Sequence, residues 1–237
     1  MNRILKVTRL QMNKRDVSFF VPAIIVGMVM IVTAIISIAL QRAGVNEVGS
    51  PEYVAGAMAN TGIIFSLPGF LVYYGVQAVS TTFPFATALG ATRRNYVIGT
   101  ALANAVTGLY VAAMLSVLLF IELATTHWFM GIYVLDTYAL GSGNVWQLAL
   151  TSFLGTFAFT SIGGVFAAVW VRFGSKGPPA LGLALGLVLA VLILVFVPYF
   201  AEIFAAITGA MLAWIGLGIS VLAIGGTWFS MRRTAVR

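Results

Sequence analysis

Thr81-Thr82-Phe83-Pro84-Phe85-Ala86-Thr87-Ala88-Leu89-Gly90-Ala91-Thr92-Arg93-Arg94-Asn95-Tyr96 lies between two long apolar runs and is too polar and too broken to belong to either. Pro84 suits the first turn of a helix, where the N–H it lacks has no partner, and Thr81 or Thr82 can cap that turn. Gly90 suits the position just past a helix end, where φ is often positive. The stretch reads as a helix of about two turns, Phe83 to Leu89, followed by a break and a new helix announced by Thr92. Arg93 and Arg94, at the mouth of the next apolar run, mark the cytoplasmic face of a membrane. A short helix there with Phe83, Phe85 and Leu89 exposed needs something to cover it. It either lies in the headgroup layer or forms a knob that fits a groove on a soluble partner.

Composition sets the class. The 237 residues are 61% hydrophobic and 8% charged, with a mean hydropathy of +1.04. A soluble domain carries about a quarter charged residues, so the chain reads as one compact integral membrane domain without a sizeable soluble module. Cysteine is absent, which excludes disulfides and thiolate metal sites. The single histidine, His127, excludes a multi-histidine metal site within one chain. The net charge of +7 records membrane topology rather than nucleic-acid binding, because the basic residues cluster at span ends. The N-terminal stretch is basic, and the apolar run after it is too long for the core of a cleavable signal peptide.

In chain order, residues 1–18 read as an interfacial amphipathic helix. Asn2, Lys6, Arg9, Asn13 and Asp16 recur at steps of four and three and share one face. Such a helix lies on the inner leaflet, its basic groups near anionic headgroups; the alternative is a basic tail that only sets topology. A membrane domain over residues 19–231 holds six spans, each long enough for a ~30 Å hydrocarbon core. They run from about Phe19 to Leu40, Tyr53 to Ser80, Tyr96 to Leu123, Gln147 to Val171, Ala180 to Val197 and Thr208 to Met231. The short helix at about 82–90 joins the second and third. Pro68 is expected to kink the second span. Gly182 and Gly186 have the spacing that permits close helix packing. Tyr199–Ile207, with Glu202, is too short to cross and reads as an external or re-entrant helix. Residues 232–237 form a basic tail.

With both termini in the cytoplasm, every lysine and arginine except Arg42 faces inward, twelve of the thirteen. The opposite orientation would reverse the split, so the positive-inside rule decides for cytoplasmic termini. Glu47, Glu52, Glu122, Asp136 and Glu202 then fall at the outer side. Aromatic residues crowd the long connection Ala124–Trp146, as at a membrane–water interface.

Catalytic signals are missing. No phosphate-binding loop of the G-x-x-x-x-G-K-[ST] type occurs, so if the chain worked with ATP the ATPase would have to be a separate chain. No paired carboxylates, serine triad or metal constellation sits in the spans, and the chain is not expected to be an enzyme. Glu122, near the outer end of the third span with His127 beyond it, reads as a snorkelling or hydrogen-bonded carboxylate rather than a catalytic one. Asn60, Ser66, Tyr73, Tyr74 and Gln77 on the second span either line a translocation surface or hydrogen-bond between helices. The low charge of all spans favours an amphipathic or lipidic substrate.

The wording Phe83-Pro84-Phe85-Ala86-Thr87-Ala88-Leu89-Gly90-Ala91-Thr92-Arg93-Arg94-Asn95-Tyr96, at the end of a second span and before a third, resembles permease subunits of bacterial ATP-binding-cassette exporters of the type-2 group. The six-span layout extends that resemblance over most of the chain. In that family this loop is the coupling helix that docks on the ATPase subunit, and an interfacial helix at the N-terminus is common. The resemblance implies an all-α permease of the bacterial cytoplasmic membrane. It would export an amphipathic, lipidic or peptide-like substrate, paired with itself or a homologous permease and surrounded by lipid. It binds no cofactor of its own; ATP and Mg act through the partner ATPase. Phe83, Pro84, Phe85, Leu89, Arg93 and Arg94 would couple to that partner. Two rival readings are the substrate-binding membrane component of an energy-coupling-factor importer and a non-transport membrane scaffold.

Overall fold

The computed structural model describes residues 3–13, 15–45, 47–200 and 209–231. Among them every regular element is helical. The main helices are α1 (Arg3–Gln11), α2 (Val21–Arg42), α3 (Pro51–Met58), α4 (Gly62–Ala88), α5 (Arg93–Ala124), α6 (Val145–Phe173), α7 (Gly177–Phe196) and α8 (Gly209–Met231). The short helix read over Tyr199–Ile207 falls largely, with Glu202, outside the described residues, as does the tail 232–237.

Among the described residues five helical stretches are long and apolar enough to cross a membrane: Asp16–Arg42, Pro51–Ala88, Arg93–Ala124, Val145–Tyr199 and Trp214–Met231. Whole faces of these helices are apolar and exposed, Ile24, Met28, Ile31 and Ile35 of α2 among them. Hydrocarbon is the surrounding that suits such a surface, and the chain has the character of a multi-pass membrane protein. The fourth stretch contains two spans read from the sequence, 147–171 and 180–197. Gly174, at φ +67°, separates α6 from α7 within it.

Several boundaries differ from the sequence reading. The second span, read as one stretch from about Tyr53 to Ser80, is two helices, α3 and α4. The break comes at 59–61, where Asn60 Oδ1 accepts the Gly62 N–H at 2.8 Å and caps α4. At its other end α4 runs unbroken through Pro84 to Ala88, so Phe83–Ala88 is the last part of a 27-residue helix and not a separate one, with Leu89 just past its end. Thr81 and Thr82 are not caps. Their hydroxyls donate back to the carbonyls of Gln77 and Ala78, inside the helix that continues past them. Gly90, at φ +80°, closes α4: its N–H bonds to the Thr87 carbonyl at 3.0 Å and the Ala91 N–H to the Ala86 carbonyl at 2.9 Å. Thr92 then caps α5 through Asn95 N–H at 3.3 Å.

The chain divides into two compact units, each best described by itself. The first comprises Met1–Asn13, Val72–Asn104 and Phe157–Arg237. Its core gathers Val7 of α1, Val79 and Phe83 of α4, Tyr96 and Val97 of α5, Ala167 and Ala168 of α6 and Met231 of α8. The Phe83 and Tyr96 rings meet edge to face, centroids 5.0 Å apart. In the same unit α4 and α6 approach so closely that a methyl group on Gly75 would collide with the Thr160 carbonyl, and one on Gly163 with the Val72 carbonyl. Gly182 and Gly186, the pair expected to mediate packing, face open space.

The second unit comprises Lys14–Leu71 and Ala105–Thr156. It contains α2, α3, the first part of α4, most of α5, the start of α6 and the long connection between the last two. Ser50 caps α3 by accepting the Tyr53 N–H at 3.2 Å, with Pro51 next to it in the first turn.

Candidate functional site

The turn between α4 and α5 is built from beneath by the first unit. Helix α1 lies against it through its buried residues Val7, Thr8 and Gln11. Thr8 Oγ1 donates to the Gly99 carbonyl at 3.0 Å, and Gln11 Nε2 donates to Thr100 Oγ1 at 2.7 Å and to the Tyr96 hydroxyl at 3.2 Å. Arg3 Nη1 reaches the Gly90 carbonyl at 3.2 Å. Lys6 and Arg9 stay exposed. The inward face of α1 thus packs on α5, and as a helix it ends at Gln11, where the sequence reading carried it to residue 18.

The six residues expected at the coupling site divide. Phe83 is 0% exposed and belongs to the core, contrary to its expected place on the surface. Phe85 is 54% and Leu89 72% exposed, and Pro84 is exposed beside them. Arg94 is exposed and Arg93 half-buried. What projects is therefore a small apolar tip, Pro84, Phe85 and Leu89, on a turn locked from below by Phe83, Tyr96 and α1.

Of the polar residues read on the second span, Asn60 and Ser66 fall in the second unit and Tyr73, Tyr74 and Gln77 in the first. Asn60 is the cap of α4. Ser66 donates to the Ile63 carbonyl within its own helix. Tyr73 and Gln77 bond to each other along the exposed side of α4 at 3.1 Å, and Tyr74 is buried.

A second constellation, in the other unit, was only half foreseen. Glu122, at the end of α5, is 0% exposed. Its Oε1 accepts the N–H groups of Val134 at 2.9 Å and Asp136 at 3.2 Å, and its Oε2 accepts that of Leu135 at 2.9 Å. This is the hydrogen-bonded carboxylate of the sequence reading, its partners drawn from the loop. His127 Nε2 lies 3.0 Å from Asp136 Oδ2, and the imidazole stacks on Tyr133 at 3.9 Å between centroids. Burial, then the nearby Asp136, Tyr53 and Glu122, push the Tyr133 hydroxyl pKa up. From the flank, Gln41 Nε2 donates to the Tyr53 hydroxyl at 2.8 Å and the Met130 carbonyl at 3.0 Å, and Tyr53 donates to the Gly131 carbonyl at 2.8 Å.

This knot holds an uncommon backbone. Thr126, His127, Trp128 and Phe129 all have φ between +50° and +60°. Left-handed conformation costs L-residues about 1–2 kcal/mol each, so four in succession persist only where the surroundings over-determine them. None of the four is a glycine, although Gly131 follows at φ +65°, and His127 and Asp136 are nine residues apart with no regular helix joining them, so no sequence periodicity pairs them. Among the described residues no group of three His, Cys, Asp or Glu side chains could hold a metal ion.

A scan against protein-family models and searches of curated proteins and of solved structures find no match to this chain.

Proposed function

We propose that the chain is the membrane-spanning permease subunit of an ATP-driven exporter, coupled to a separate ATPase and paired with a second permease, itself or a homologue. The observation that carries the reading is the apolar tip Pro84–Phe85–Leu89 on a turn braced by α1 and by the Phe83–Tyr96 core. A surface of this size has nothing in its own unit to cover it, and aromatic anchors on a rigid support are what a partner's groove recognises. The resemblance of the same stretch to a coupling helix names the partner as the ATPase. Arg94 is placed to pair with acids on the groove rim, but exposed pairs contribute only about 0–1 kcal/mol.

In this reading the chain makes six spans. An uninterrupted helix over Val145–Tyr199 would be about 80 Å long, more than twice the hydrocarbon thickness, so α6 and α7 cross separately and reverse at the Gly174 break. Both termini and the tip lie in the cytoplasm, as the twelve-to-one division of basic residues requires. The membrane is the bacterial cytoplasmic one. ATP and Mg bind the partner, and the cargo is amphipathic, lipidic or peptide-like.

The test is co-purification of this chain with an ATPase subunit. Phe85 and Leu89 each have about half or more of a side chain left to bury, roughly 1–2 kcal/mol apiece. Phe85→Ala and Leu89→Ala are each expected to weaken association about tenfold while membrane insertion stays normal. Wild-type association in both variants would remove the ground for the reading.

A further inference from the structure

We propose that the segment Thr125–Thr137 is a latched two-state element, held in a strained left-handed form by the His127–Asp136 contact. Three observations meet in these thirteen residues. The backbone of Thr126–Phe129 is left-handed without a glycine. Three of the five buried side-chain atoms found without a hydrogen-bond partner among the described residues are here: Trp128 Nε1, Asp136 Oδ1 and Thr137 Oγ1. Both ends of the segment are fixed, by the end of α5 on one side and by the three N–H bonds to Glu122 on the other. Strain and unpaired buried polar groups concentrated between fixed ends are the properties of a segment with a second conformation close in free energy.

The parts have distinct roles. Glu122 is the hinge anchor, since it grips Val134–Asp136 beyond the turn. The His127–Asp136 contact is the latch, because it ties the left-handed turn to that anchored stretch. The grip on the carbonyls of Met130 and Gly131 by Gln41 and Tyr53 is the readout. When the latch opens, the turn relaxes to right-handed or extended backbone, those carbonyls leave their donors, and α2 and α3 lose their tie to the α5–α6 connection. The inference is independent of any ATPase and stands or falls on this chain alone.

Hydrogen exchange on the full chain in detergent micelles tests it. In the latched form the Trp128, Phe129 and Ile132 amides bond to Thr125 Oγ1, the Thr125 carbonyl and the His127 carbonyl. Asp136→Asn is expected to speed their exchange about tenfold, the worth of one charge-assisted hydrogen bond. Phe129→Gly should act in the opposite sense. That side chain is 84% exposed, so little packing is lost, and glycine adopts positive φ without the Cβ penalty; exchange at Ile132 is expected to slow about threefold. The double variant should return toward wild type. The proposal fails if Asp136→Asn leaves these amides unchanged, if Phe129→Gly speeds them, or if glycine does not rescue the double variant. It fails equally if the buried α5 amides of Val111 and Leu119 accelerate by the same factor, because the contact would then support the whole fold.

Discussion

Removing the Glu122 carboxylate is the sharpest perturbation of the second unit. The side chain is fully buried and accepts three backbone N–H groups, at 2.9, 2.9 and 3.2 Å. Glu122→Ala leaves all three donors without an acceptor. Each stranded buried donor costs about 1–3 kcal/mol, and water entering the vacated volume recovers part of that. The local opening free energy at Val134, Leu135 and Asp136 should therefore fall by about 3 kcal/mol, a hundredfold gain in exchange rate at about 1.4 kcal/mol per decade. Glu122→Gln keeps the shape and one acceptor oxygen but turns an NH₂ group toward at least one of the donors. Its expected effect is about tenfold. Hydrogen exchange resolved at these three amides measures both. If alanine and glutamine variants both exchange within a factor of two of wild type, the carboxylate does not hold the loop. If alanine is no worse than glutamine, the donors find other acceptors and the count of stranded groups is wrong.

Two further outcomes are expected. Gly163→Ala should destabilise the first unit by about 1–3 kcal/mol or more, because its methyl meets the Val72 backbone, whereas Gly182→Ala, with open space around it, should leave the melting temperature in detergent unchanged; equal melting temperatures for the two variants would contradict the close α4–α6 approach. Because the chain has no cysteine, single-cysteine variants report sidedness directly: a membrane-impermeant maleimide on intact cells should label Glu47→Cys and not Ser175→Cys, both at exposed positions, and the reverse pattern would overturn the orientation.

Much of this architecture was legible in the residues, for reasons that can be named. Apolar runs of about twenty residues have few folded alternatives, and the breaks at Gly90 and Thr92 follow from local chemistry that long-range packing does not alter. The knot around Glu122 was legible only as a suspicious carboxylate. Its partners are backbone groups of a loop whose conformation depends on four left-handed residues, none of them a glycine, and nothing local announces that. The Gly75–Gly163 approach was hidden for a different reason. Each is a single glycine on its own helix, and the contact exists only once two helices nearly ninety residues apart in sequence are brought together.

The coupling stretch shows where local and long-range information divide. Pro84 argues for a helix start, yet α4 continues through it, and the Phe83 ring is drawn into the core. Once the stretch belongs to a continuous helix, 100° per residue puts Phe83 and Phe85 on nearly opposite faces, so both cannot be presented to one partner. Leu89, four residues beyond Phe85, shares its face. Which face turns inward is decided by Val7, Tyr96 and Met231, residues far from the turn in sequence. A docking surface on this turn must therefore use Phe85 and Leu89. Phe83→Ala instead opens a cavity in the first unit, for which losses of about 3–5 kcal/mol are usual, and any weakening of partner binding in that variant would follow from loss of the turn's support rather than from loss of an anchor.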